Sequence, residues 1–474
     1  MQLGNFIGGK FCPPHSGAYI DDLNPATEEV IVRIPDSDGQ DVDDAVAAAK
    51  AAFPAWSRTP AAERSRLLLK LADLIEQNLE ELAQLESRDN GKTISLARRL
   101  DIPRAVANFR FFGTAILHHG SEAHPMDGVA LNYTLRQPLG VAGLISPWNL
   151  PLYLLSWKIA PAVASGNTCV AKPSELTPLT ANRLAELSLE AGIPAGVINI
   201  VHGYGAKAGR ALTVHDDVPV ISFTGGTVTG AAVATNASPR FKKISLELGG
   251  KNPNVIFADA DLDDAVATTI RSSFWNQGEI CLCGSRIFVE RARYDEFLER
   301  FIAATKKLKI GDPLDETSDV GALISADHLR KVTGYIELAK REGGSVVCGG
   351  NRVDRRGYFV EPAIITGLGV NCRVLQEEIF GPVVTVTPFD GEEEAIAFAN
   401  STRYGLAATV WTRDLQRAHR VAAAIDSGTV WINCWLLRDL RVPFGGMRES
   451  GVGREGGFES LEFFTETKNI CVKL

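Results

Sequence analysis

Between residues 140 and 250 five short apolar runs recur with helical segments between them: "GVAGLISP", "NTCVAKPSE", "GVINIVHG", "PVISFTGG" and "KKISLELGG". Apolar runs of this length, each followed by a turn signal, suit strands buried on both faces. Their alternation with stretches such as 177–192 gives repeated β-α units. That order predicts a doubly wound parallel sheet with helices on both faces, an architecture that takes dinucleotides at its strand C-terminal ends. A second α/β block runs from about 251 to 450, with apolar runs "SRIFVE", "VVTVTPF" and "GTVWIN" and a helix expected over 292–308.

Outside these blocks, 41–56 and 60–88 are expected to be helices. In the second, Leu67, Leu71, Leu74, Ile75, Leu79 and Leu82 recur at helical spacing, and Thr59-Pro60 supplies a start signal. The alternating stretch "VALNYTLRQ" and the tail "ICVKL" are expected to be exposed strands that pair with another domain or another subunit.

A chain of 474 residues is long enough for two or three domains. Its net charge of −8 and the lack of a basic run argue against nucleic acid or an anionic membrane as partner. Pro138 to Trp157 is twenty residues without a charge, but three prolines and Asn149 within it favour a buried strand running into a turn over a membrane span. The N-terminus lacks the cationic and apolar regions of a secretory signal. Eight scattered cysteines fit free thiols in a reducing cytoplasm. No CxxC or HxxxH occurs, and the cluster His118, His119 and His124 is better read as a solvated loop than as a metal site.

Two glycine segments compete for a phosphate. "GYGAKAG" at 203–209 has GxGxxxG spacing, not GxGxxG, and a plain β-α turn explains it equally well. In "FTGGTVTG", Gly225 and Gly226 let backbone approach an anion and Gly230 lets the next helix pack closely. Lys172 and Glu175 in "AKPSE" follow a strand. A carboxylate there can accept both hydroxyls of an adenosine ribose and repel a 2′-phosphate, favouring NAD over NADP. A surface ion pair is the competing explanation.

"FWNQGEICLCGSR" places Cys281 after a glycine-containing segment whose N–H groups are available to point inward. A cysteine nucleophile needs an oxyanion donor and a base. Asn149 in "SPWN" offers the amide and Glu247 in "LELGGK" offers the carboxylate. Taken singly, these are equally a buried thiol, a helix cap and a surface acid.

Seven stretches stand together in a recognisable order: "SPWN", "AKPSE", "FTGGTVTG", "LELGGK", "FWNQGEIC", "EEIFGP" and "PFGGMRESGVGRE". On these the chain resembles the aldehyde dehydrogenase superfamily over essentially its whole length. The resemblance implies two doubly wound parallel-sheet domains plus a small β oligomerisation flap. The NAD-binding domain would be 1–118 with 139–249, the catalytic domain 250–450, and the oligomerisation strands 119–138 and 460–474. It implies that Cys281 adds to an aldehyde to give a thiohemiacetal whose oxyanion is held by Asn149 and the Cys281 N–H. Oxidation by NAD then gives a thioester, and Glu247 activates the water that hydrolyses it. Trp148, Lys172, Glu175, Gly225, Gly226, Gly230, Glu378 and Phe380 would bind the cofactor. It further implies a homodimer or homotetramer with a small-molecule aldehyde as its partner. Gly226, where the family often has a hydroxyl residue, and Glu279, where it usually has an amide, depart from the pattern.

Further likeness in "LDIPRAVANFRFF", "GEICLC", "NCWLLRDLRVPFGG" and "FFTETKNICVKL" is to dehydrogenases of 2-aminomuconic and 2-hydroxymuconic 6-semialdehyde, of aromatic ring cleavage. Such substrates carry a carboxylate away from the aldehyde. Arg104 and Arg438 are the candidate guanidinium partners, with Arg441 competing for the second role. The alternative is a broad-specificity enzyme for neutral apolar aldehydes. Acyl transfer to coenzyme A is disfavoured by the retained Glu247. Cys283 falls where the family commonly has a small residue, so the resemblance implies packing for it.

Overall fold

The structure, a computed structural model, describes all 474 residues. Its first sheet has eight strands, and its five central ones are parallel. Their spatial order is Ile198–Ile200, Thr168–Lys172, Val141–Ile145, Val220–Thr224 and Lys243–Glu247. The first four are buried at every position, which is why they appear as unbroken apolar runs. The chain winds outward in one direction from Val141–Ile145 and then returns to add Val220–Thr224 on its other side. The crevice beyond Ile145 and Thr224 is therefore the topological switch point.

Distant segments complete both edges. Asn5–Ile7 pairs antiparallel with Ile198–Ile200 and carries Lys10–Cys12 outside it, and Gly451–Val452 pairs antiparallel with Lys243–Glu247.

The second sheet has seven strands in the order Ser345–Cys348, Ala363–Thr366, Val383–Phe389, Arg286–Glu290, Pro253–Ile256, Ala407–Trp411 and Thr429–Ile432. All pairings are parallel except that of Ser345–Cys348. The two sheets meet where residues 248–252 leave the C-terminal end of one and enter the N-terminal end of the other.

The helix expected over 60–88 is two helices, Ala61–Gln77 and Leu79–Asn90. Asn78 breaks it with φ −101° and ψ 20°, and its side chain bonds Leu74 O and receives Arg183. Asn competes well for backbone groups, so a helix yields there despite a continuous leucine stripe. Leu67, Leu71, Leu74, Ile75 and Leu82 are buried as expected.

The uncharged stretch after Pro138 is the strand Val141–Ile145 and the helix Pro151–Ala164. No helix is long and apolar enough to cross a membrane.

"VALNYTLRQ" and the tail pair with each other. Ala130–Pro138 and Thr465–Lys473 run antiparallel over nine residue pairs, and Ala123–Met126 adds a third strand. Residues 460–463 belong to the helix Gly457–Phe463, so the terminal strand starts at Thr465. His124 sits on the third strand and is exposed, and no group of metal-ligating side chains forms. The eight cysteines are free thiols.

Candidate active site

The switch-point crevice is deepened by loops from the second sheet, which bring Cys281 against the first. The loop reaches Cys281 through three successive left-handed residues: Asn276 (φ 51°), Gln277 (φ 55°) and Gly278 (φ 72°). A Cβ on Gly278 would stand 2.3 Å from Gly381 O, so only glycine lets the 377–382 loop lie this close. Asn252 fixes the far side, donating from Nδ2 to Cys281 O at 2.7 Å and to Cys283 O at 2.9 Å. Trp435 Nε1 donates to Leu282 O.

Cys281 lines two adjoining cavities, which also share Leu154, Thr224 and Leu248. One contains Trp148, Asn149, Gly225, Gly226, Glu378 and Phe380. The other contains Glu247, Arg438 and a mostly apolar wall that includes Leu150, Tyr153 and Phe444. Burial and the nearby Glu247 charge push the Cys281 thiol above its ordinary value. Cys283 is buried with Leu406, Trp431 and Phe444 in a small apolar cluster that excludes it from both cavities.

Asn149 is buried, and its Nδ2 donates to Glu279 O at 2.8 Å. An amide has two N–H groups, so one remains for an oxygen at Cys281. Its backbone carbonyl receives Lys92 Nζ and Asn276 Nδ2, both at 3.0 Å. Lys92 is wholly buried and pairs with Asp101, so a charged network behind the site sets the amide's position.

Glu279 turns its side chain away from the sulfur. Its Oε1 accepts the Ile324 N–H, and burial raises its carboxyl well above the usual range.

Glu247 ends its strand buried, with Oε1 unpartnered. Burial and the negative charge of Glu455 hold its carboxyl well above the usual carboxylate range. A Cβ on Gly445 would come within 2.9 Å of that oxygen, so the "PFGG" turn packs directly on the acid. Glu455 lines the same cavity, and its Oε1 accepts from Lys158 Nζ (3.1 Å) and Ser222 Oγ (2.9 Å). Sequence reasoning missed this cluster, although Glu455 closes the quoted "PFGGMRESGVGRE".

The dinucleotide cradle fits its cofactor. Gly226 caps the helix Thr227–Ala237, and nothing lies within 4 Å of a Cβ added there, so the helix N-terminus faces open space. Gly230 lies against Leu248, whose Cδ2 a Cβ would meet at 2.4 Å. The hydroxyls of Thr224 and Thr227 are buried without partners beside the Gly225–Gly226 turn. Gly250 N donates to Glu378 Oε1, and the absence of a side chain at Gly249 leaves room for that carboxylate.

Phe380 holds φ 62°, and its ring meets Trp148 edge-on at 5.3 Å. His328 Nε2 donates to its carbonyl at 2.6 Å, while His328 and Lys331 both line the cavity. Neither was singled out from sequence. Lys172 and Glu175 form an ion pair of 2.9 Å with Lys172 buried, away from Cys281 at the end of the neighbouring strand. In the competing "GYGAKAG", Gly205–Gly209 forms a single π-helical turn.

Arg438 enters the apolar cavity, donates to Tyr153 Oη at 2.9 Å and lies 3.8 Å over the Phe444 ring. It forms no ion pair. Arg104 does not line the cavity. Its guanidinium stands 5.4 Å from the centre of the Tyr153 ring, which is itself part of the cavity wall. Arg441 is exposed and paired with Asp439, which removes it from competition.

This site on this fold is that of an oxidoreductase working through a cysteine, and the chain belongs to the aldehyde dehydrogenase family, whose profile matches residues 11–470. It is similar to the 2-aminomuconic semialdehyde dehydrogenase of Danio rerio, 58% identical over 100% of this chain and 98% of the relative. The 2-hydroxymuconic semialdehyde dehydrogenase of Pseudomonas sp. (strain CF600) is 48% identical over 100% of both chains. Among solved structures, the NAD+ complex of an aldehyde dehydrogenase from Bacillus cereus superposes with a TM-score of 0.99 at 42% identity, covering 100% of this chain and 97% of that one. The protein is an NAD-dependent aldehyde dehydrogenase.

Proposed function

We propose that the chain oxidises a muconic 6-semialdehyde, carrying a 2-amino or 2-hydroxy group, to the dicarboxylate in aromatic-ring catabolism. The observation that carries this reading is Arg438, a guanidinium without an ion pair in a mostly apolar cavity that it shares with Cys281, Glu247 and Glu455. A cation held there by Tyr153 and Phe444 has no carboxylate within ion-pair distance, since Glu247 and Glu455 in the same cavity do not reach it, and the substrate supplies one. Arg104 supports it from behind Tyr153. The names of the relatives from Danio rerio and Pseudomonas point the same way.

Chemistry follows from the groups present. The Cys281 thiol gives its proton to water as its sulfur adds to the aldehyde carbon, and the free Asn149 N–H with the Cys281 N–H receives the oxyanion. NAD, when bound, supplies the acceptor for the two electrons and the hydrogen lost as the thiohemiacetal becomes a thioester. Glu247 takes a proton from water, whose oxygen attacks the thioester carbonyl, and the thiol is released. Glu378, Phe380 and Trp148 position the nicotinamide end, the Gly225–Gly226 turn with Gly230 the pyrophosphate, and Lys172 with Glu175 the adenosine ribose. On this reading residues 1–118 and 139–249 bind cofactor, 250–450 carry the chemistry, and 119–138 with 460–474 join subunits in a homodimer or homotetramer. A reducing cytoplasm suits its eight unpaired thiols.

The test compares kcat/KM for both muconic semialdehydes and a neutral alkanal, with NAD and NADP. Arg438→Ala should raise KM for the carboxylate-bearing substrates by about 10–100-fold, the value of one or two charge-assisted contacts, and leave the alkanal nearly unchanged, while Arg104→Ala, acting through Tyr153, should give a smaller loss with the same selectivity. Equal effects on both substrates would favour the broad-specificity alternative.

A further inference from the structure

Outside the apolar cavity lies a second, wider hollow of about 1000 Å³ including its open mouth. Leu100 and Leu436 line both spaces, so these two side chains form the partition between them. Both belong to irregular backbone. Leu100 lies in the π-helical turn Ala97–Asp101, and Leu436 holds φ 59°, a conformation that bulky residues rarely adopt. Such departures from regular geometry concentrate at sites of function.

The hollow has an unusual lining. Arg99 and Arg271 both face it, and neither has a carboxylate partner. Arg271 makes one side-chain bond, to Thr268 Oγ1 at 2.7 Å, and lies 5.9 Å over the Trp275 ring. The adjacent Arg98, by contrast, is paired with Glu80 and Glu316. Trp275 and Trp435 meet edge to face at 6.0 Å and present aromatic surface to the same space. One acid, Asp319, shares the wall, and its Oδ2 accepts the Lys309 N–H. Two uncommitted guanidinium groups thus face one engaged carboxylate across two indoles.

We propose that this hollow is an outer docking site for a planar, conjugated aldehyde bearing a carboxylate. Arg99 and Arg271 attract the anion, the tryptophans receive its flat chain, and it passes between Leu100 and Leu436 to Arg438. The inference rests on the reading that the substrate carries a carboxylate. A basic entrance raises the encounter rate of an anion with no need to hold it tightly.

The experiment uses the full-length enzyme with saturating NAD, 2-hydroxymuconate 6-semialdehyde and hexanal, at ionic strengths of roughly 20 and 300 mM, which bracket strong and weak screening. The double variant Arg99→Gln/Arg271→Gln should lose about tenfold in kcat/KM for the anion at low salt. The loss should shrink at high salt, with kcat unchanged and hexanal unaffected. Arg99→Lys/Arg271→Lys keeps the charge and should retain most of the rate. An unchanged salt dependence, or an equal loss for hexanal, would overturn the docking site. Arg438→Ala distinguishes the two levels of the inference. If it remains selective for the anion while the outer variants do nothing, only the outer site fails. If it affects both aldehydes equally, the reading of the substrate fails and the docking site with it.

Discussion

Cys281 and Cys283 differ by two positions in sequence and completely in surroundings. Cys281 faces the adjoining cavities, while Cys283 fills an apolar cluster. Cys281→Ala should abolish NADH formation, and Cys283→Ala should keep most of it, since a thiol-to-methyl change in a packed site costs only stability. The reverse pattern would overturn the assignment. Glu247 makes a pH prediction. Burial raises its carboxyl well above the usual range, so a larger fraction holds a proton near neutrality than in an exposed acid. A base must be deprotonated, so steady-state turnover should rise as pH climbs through and beyond neutrality. Glu247→Gln should flatten that rise and lower turnover by about 10²–10⁴-fold. It should still release one equivalent of NADH per site and leave an acyl group on Cys281 detectable by intact mass. A variant that turns over normally would remove Glu247 from its role. At this scale the residues inside contiguous motifs were legible in the sequence. Glu455, Lys158 and Ser222 were not, because their contact joins positions separated by up to 297 residues and no local pattern encodes it. The same holds for Tyr153, whose place between Arg104 and Arg438 exists only after the helices pack.

Among elements, the parallel strands of the first sheet and three of the second, Arg286–Glu290, Val383–Phe389 and Thr429–Ile432, were readable as apolar runs, whereas Pro253–Ile256, Ala363–Thr366 and Ala407–Trp411 were not singled out. The break at Asn78 was hidden by a leucine stripe that continues across it, since periodicity reports the buried face and not the hydrogen bonds at one residue. The Asn276–Gly278 turn was equally silent: Asn, Gln and Gly are ordinary loop residues, and only coordinates reveal three left-handed conformations in succession. That turn supports a paired prediction. Gly278→Ala adds a Cβ at φ 72° and 2.3 Å from Gly381 O, so it should cost about 2–3 kcal/mol by thermal melting. By displacing the Phe380 loop it should also raise KM for NAD. Gly226→Ala, with open space around its Cβ and φ −72°, should melt within about 0.5 kcal/mol of the parent. Equal melting of the two variants would refute the close approach at Gly278.

At the scale of the whole molecule, the three-stranded flap stands out by its surface. Leu131 pairs with Val472, Tyr133 with Ile470 and Leu135 with Lys468, and directly opposed residues share a face. Leu131, Leu135 and Val472 are 38%, 38% and 46% exposed, more apolar surface than a lone flap ordinarily leaves open. On the proposal that another copy covers this face, Leu131→Asp/Val472→Asp should yield a smaller species in sedimentation equilibrium while each chain retains its helical signal. An unchanged mass would place the subunit contact elsewhere. The pairing of the tail with 130–138 was visible in sequence only as two unassigned strands, because alternation shows that a strand has a partner without showing which one.

The short strand Gly451–Val452 closes the edge of the first sheet beside Glu247, and Ser450 Oγ bonds Gly249 O across the same junction. The Ser450 and Gly249 of that bond stand 201 residues apart, so the border is made long after the strand it covers. A nascent chain that has folded everything up to residue 440 still presents Lys243–Glu247 as a bare edge, with neither the "PFGG" turn nor Glu455 to enclose its acid. Domains form in the order of synthesis, yet here the earlier one waits for the later one to finish its border. The site is therefore complete only once residues 444–455 have been made, and a chain interrupted before them is both inert and open to edge-to-edge association, a state for which chaperones and proteases are suited.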